Sequence, residues 1–83
     1  PRAKLYLKRQ QLQDLGQAVV DFLTELVHRR PRQWQKDVER LHQLLLEHGD
    51  APVLDAITAA NEAQLCGAEY VANFLAAVRP EVA

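Results

Sequence analysis

An all-α fold, a small bundle of four to five short helices, is what this sequence predicts. Three observations lead there. Serine is absent and Ala, Leu, Gln, Glu and Arg are plentiful, a composition that favours helix over strand. Only 3 Gly and 4 Pro interrupt the chain, so those few must mark the element boundaries. Between them, apolar residues recur every three or four positions, and no strand alternation, internal repeat or low-complexity segment is visible.

Residues 4–14 read as a first helix, with Leu5, Leu12 and Leu15 able to share a face and Lys8 and Arg9 elsewhere. The apolar stripe is narrow, so 1–16 is set apart as an N-terminal helix or arm, and 17–83 as the bundle proper. Gly16 is the expected stop, because glycine accepts the left-handed conformation that ends helices. Residues 17–28 form a second helix on Val19, Phe22, Leu23, Leu26 and Val27. Pro31 then disfavours helix at Arg30 and suits the first turn of a new one, making His28-Arg29-Arg30 a short corner.

A third helix, 32–48, carries Trp34, Val38, Leu41 and Leu45 at steps of four, three and four, widened by Leu44. Asp37, Glu39, Arg40, Gln43 and Glu47 fall mostly on its wet side. Gly49 ends it, and Asp50 is expected to cap the next helix through its side-chain oxygen. Pro52 sits in a first turn, where no helical hydrogen bond is lost. Residues 51–64 form the fourth helix, with Val53, Leu54, Ile57 and Ala60 inward. Cys66-Gly67 breaks it. Residues 68–78 form the fifth, with Val71, Phe74, Leu75 and Val78 inside, Glu69 at the positive end of the helix dipole, and Pro80 as terminator. The predicted core is Phe22, Leu23, Leu26, Trp34, Val38, Leu41, Leu45, Ile57, Val71, Phe74 and Leu75.

The 83 residues bound the chain to one domain, and 48% hydrophobic residues suffice for a thin core. One cysteine, Cys66, permits no internal disulfide, so a reducing cytoplasm is the expected setting. No stretch approaches the ~20 apolar residues of a membrane span. The start is not Met, and the sequence reads as a piece of a larger protein. Its net charge of −1 conceals an asymmetry. Residues 1–36 hold eight basic against three acidic residues, a net +5, and residues 37–83 two against eight, a net −6. That division suits either a basic surface for an acidic partner or two halves that attract each other.

No catalytic constellation emerges. Thr24 and Thr58 lie within predicted helices without an adjacent base, and Cys66 is a packing residue unless a histidine reaches it. His42 and His48 are six apart, on different sides of one helix, whereas metal-ligand pairs favour three or four. No phosphate loop is present, and no cofactor is expected. The dense feature is the basic stretch His28-Arg29-Arg30-Pro31-Arg32-Gln33-Trp34-Gln35-Lys36. Trp34 belongs to the buried stripe, so the cations rather than the ring are left for contacts with phosphates or acidic side chains. A helix-turn-helix outline spans the third and fourth helices. Yet no Lys or Arg occurs between Arg40 and Arg79, which argues against base reading by the fourth helix.

Four stretches, Phe22 to Trp34, Asp37 to Leu41, Glu47-His48-Gly49 and Gly67 to Leu75, with the opening Leu5-Tyr6-Leu7-Lys8-Arg9-Gln10, together resemble the C-terminal region of IstA-type transposases of bacterial insertion sequences. The resemblance covers nearly the whole chain and contains no catalytic signature. It implies a parent protein with N-terminal DNA-binding and DDE catalytic domains, both missing here. It also implies a partner, an IstB-type AAA+ ATPase that prepares target DNA. Tyr70-Val71, then Phe74-Leu75, is in addition similar to the Tyr-Ile-x-x-Ile-Leu element of DnaD-like replication domains. The resulting expectation is a non-catalytic interaction domain of a DNA transposase that engages its AAA+ ATPase. The contact residues would be His28, Arg29, Arg30, Arg32, Lys36, Glu69 and Tyr70. Two further readings stay open: an accessory DNA-binding domain using the basic half, and a self-association module.

Overall fold

A computed structural model describes residues 2–77 and contains five helices. They are α1 (Arg2–Gln13), α2 (Gln17–Arg29), α3 (Trp34–His48), α4 (Asp50–Glu62) and α5 (Ala68–Ala77). No strand occurs among the described residues. Val78 and Pro80, expected inside α5 and as its stop, lie outside the described residues. The radius of gyration is 12.2 Å, close to the ~12 Å of a compact chain this long.

The chain doubles back at each break, and the apolar stripes meet along one core. Phe22, Leu23 and Leu26 of α2, Val38 and Leu41 of α3, Val53 and Ile57 of α4, and Val71 of α5 are fully buried. Each such side chain stabilises the fold by roughly 1.5–3 kcal/mol relative to exposure. Asn61 Nδ2 donates to the Ala18 carbonyl (3.0 Å) and ties α4 to α2. Small residues such as Ala56, Ala60 and Ala68 let the helices approach closely.

The helix α1 packs along α3 and also touches α2. Arg9 lies over the Trp34 ring, Lys8 pairs with Glu39, and His42 hydrogen-bonds Gln11. From Lys8–Glu39 to Gln11–His42 both helices advance by three residues, so they run parallel. Leu12 is completely buried, so one deep leucine joins the segment 1–16 to the same core as the rest, despite its narrow stripe.

Four local expectations need correction. Asp50 is the first helical residue of α4, and Gly49 is the cap; no side-chain cap bond forms there. The reason is backbone geometry: Gly49 at φ 92°, ψ 174° occupies a region open to glycine alone, and the chain turns one residue earlier. The helix α3 begins at Trp34, since residues 31–33 form a turn instead of a first helical coil. Trp34 is only half-buried, packed on the margin of the core beside Leu5. At the very start of α3 the ring lines an open concavity with Leu5, Tyr6 and Arg9 of α1, which leaves part of it uncovered. Phe74 is half-buried for a related reason, facing a groove near the end of α5.

Candidate functional site

The basic stretch folds into the corner between α2 and α3, and the backbone closes it tightly. The Arg30 amide donates to the Leu26 carbonyl (2.8 Å), ending α2. The Arg30 carbonyl accepts from the amides of Gln33 (3.0 Å) and Trp34 (2.8 Å), starting α3. Pro31, Arg32 and Gln33 are thereby held as an exposed protrusion.

The side chains then divide into two groups. Arg30 turns inward. Its Nη2 and Nη1 donate to Glu69 Oε2 (2.7 Å) and Oε1 (3.0 Å), a two-pronged contact, and Nη1 reaches Asp37 Oδ2 (3.4 Å). Asp37 is 8% exposed and is the one buried charged residue among those described. Its Oδ1 accepts from the amide of Ala68 (3.3 Å), at the first turn of α5. One guanidinium and one buried carboxylate therefore clamp the end of α2, the start of α3 and the start of α5 together. The Glu69 bond raises the Arg30 pKa further above its ordinary value, and the Arg30 bond holds the Glu69 carboxyl below the usual carboxylate range. Gly67 makes room for the clamp: a Cβ there would come within 2.8 Å of both Arg30 Nη1 and Glu69 Oε1.

Arg29 is bound more loosely. Its Nε donates to Glu25 (2.8 Å), one turn back on α2, and its Nη1 to the Gln64 carbonyl (3.3 Å). His28, Arg32 and Lys36 are exposed, and among the described residues Arg32 and Lys36 meet no carboxylate within 4.0 Å. Tyr70 is half-buried, and its amide donates to the Gly67 carbonyl (3.2 Å). The predicted contact residues thus share one end of the molecule, but Arg30 and Glu69 are spent on each other. Sequence reasoning placed Asp37 on the wet side of α3. Nothing in its spacing announces a partner seven residues back across a proline turn.

Burial raises the Cys66 pKa and keeps the thiol protonated, with Sγ 3.9 Å from the Phe22 carbonyl; a protonated, buried thiol is a poor nucleophile. No group of three His, Cys, Asp or Glu side chains gathers among the described residues. None of the helices is long and apolar enough to cross a membrane. A concavity of about 600 Å³ forms an open groove between α3, α4 and α5, lined by Leu44, Ala56 and Leu75 among others. Comparison of the chain with family models, curated proteins and solved structures returns no match.

Proposed function

We propose that this chain is a non-catalytic interaction domain of a DNA transposase, and that it recruits or engages an AAA+ ATPase partner of the IstB type during DNA transposition. The resemblance to the C-terminal region of IstA-type transposases supplies the biological setting. The observation that carries the reading is the division of labour within the basic corner. Arg30 is consumed in holding α2, α3 and α5 together. That clamp keeps Pro31 and its neighbours on a fixed protrusion, where His28, Arg32 and Lys36 face solvent. Rigid presentation lowers the entropy cost of docking. Cations without internal partners suit an acidic surface on the ATPase, where complementarity sets partner choice and association rate.

The test is binding of the ATPase, with and without nucleotide, to the double variant Arg32→Glu/Lys36→Glu. Both side chains are exposed, so the melting temperature should stay within about a degree or two of the parent. Recruitment should fall at least about tenfold, because reversed charges would face like charges. A well-folded variant that binds at full affinity rejects the corner as the contact.

A further inference from the structure

On the α1 side of α3 lies a second, smaller concavity of about 280 Å³, lined by Leu5, Tyr6, Arg9, Trp34 and Gln35. Its make-up is unusual for a helix seam. Tyr6 is 71% exposed at its edge. Trp34 presents a half-buried ring, with the Arg9 guanidinium 5.9 Å from its centroid. Among the described residues no carboxylate lines the slot. The Arg9 Nε is buried and has no hydrogen-bond partner among the described residues. A buried donor of that kind carries a desolvation cost until an acceptor arrives. Lys4 is exposed on the same helix, and α1 contains four cations and no acid.

We infer that this slot binds single-stranded nucleic acid, taking one base against Tyr6 and Trp34 and a backbone phosphate on Arg9. The slot is smaller than drug-sized pockets and has room for one flat ring system. Aromatic faces beside cations are the physical basis of sequence-tolerant single-strand binding, and an arginine stacked on a ring contributes to it. Gln35 adds an amide able to donate to or accept from a base edge. An acidic peptide would also supply an acceptor for Arg9, but it gives no use for an exposed tyrosine beside a half-buried tryptophan ring. Trp34 and Gln35 adjoin the basic corner, but none of the five is among the contact residues of the recruitment reading, and the variants that test the two are different, so the inference and that reading succeed or fail separately.

Trp34 is the sole tryptophan, and its emission therefore reports directly on the slot. The chain is titrated with an oligothymidylate of about twenty nucleotides, enough to span one or more sites. Trp34 emission should be quenched on binding. The affinity should fall about tenfold between about 50 and 200 mM salt, as two or three phosphate contacts require. Tyr6→Ala, at an exposed position that leaves the melt unchanged, should weaken binding about fivefold or more by loss of stacking. Lys4→Glu, equally exposed, should weaken it and flatten the salt dependence. Three results would overturn the inference: unaltered Trp34 emission at the lowest salt, equal affinity for a duplex of the same length, or displacement of the oligonucleotide by polyglutamate at matched charge.

Discussion

Arg30 illustrates how much one side chain can decide. Its guanidinium satisfies the buried Asp37 and grips Glu69, yet the two contacts differ in worth. The Arg30 side chain is 25% exposed and that of Glu69 is 53% exposed, so the outer pair is screened by water and contributes below about 1 kcal/mol. Asp37 is the costly partner. In Arg30→Ala it would keep only the Ala68 amide, and an undercompensated buried carboxylate should destabilise the fold by about 2–3 kcal/mol. Glu69→Gln should cost far less. Denaturant melts of the two single variants check this ordering, and equal losses would place the stabilising weight on Glu69. Gly67→Ala should also destabilise, because its φ of 156° disfavours side chains and its Cβ would press on the clamp; chemical denaturation reads the loss. Trp34 follows the same logic. A half-buried ring at the edge of the core should cost less on Trp34→Ala than the ~3–5 kcal/mol of a fully buried one.

At the scale of the element, α1 and α3 are joined by one deep apolar contact and several polar ones, and the polar ones respond to pH. Burial, and secondarily the charge of Lys8, lowers the pKa of His42 from its ordinary 6.5. Gln11 and Lys8 face it from α1, and Glu39 neutralises part of Lys8 from α3 itself. A depressed histidine pKa means that the unfolded chain takes up the proton first. The associated stability is complete above pH 6.5 and drains as pH falls from there towards the folded value. Glu69 acts lower. Its stability is present above its ordinary 4.5 and is lost as pH falls through the reduced folded value. Thermal melts on descending pH should therefore show an upper decline that His42→Gln abolishes and a lower one that Glu69→Gln abolishes. If His42→Gln leaves the upper limb in place, the seam is not its origin.

Over the whole molecule, the question is whether α1 is an arm or part of one cooperative unit. Leu12 is fully buried among residues of the common core, and α1 covers one flank of α3. Leu12→Ala should therefore lower global stability by about 2–5 kcal/mol, a large share of what a small domain has. Unfolding followed by Trp34 fluorescence, at the α1–α3 seam, should coincide with unfolding followed by helicity. Separated transitions would restore α1 to the status of an arm.

The positions of all five helices were legible along the chain, because proline, glycine and apolar spacing act locally. Proline and glycine restrict or free the backbone at single residues, and a stripe at helical spacing declares a buried face whatever that face touches. Phe22, Leu26, Val38, Leu41, Ile57 and Val71 were legible as core on those grounds. The gathering of a basic corner near Pro31 was visible too, since it lies within nine consecutive residues. What the linear order could not express is which cation meets which carboxylate. Arg30 and Glu69 are 39 residues apart, and a Coulomb pair depends on distance in space, which only the docking of α5 against the α2–α3 turn decides. The same docking buried Asp37 and left Arg32 and Lys36 in water. The parallel packing of α1 on α3 likewise drew Trp34 to the margin and set Arg9 over its ring. Periodicity determines that a residue faces inward, whereas the depth at which it comes to rest is decided by how much of a neighbouring helix reaches that end.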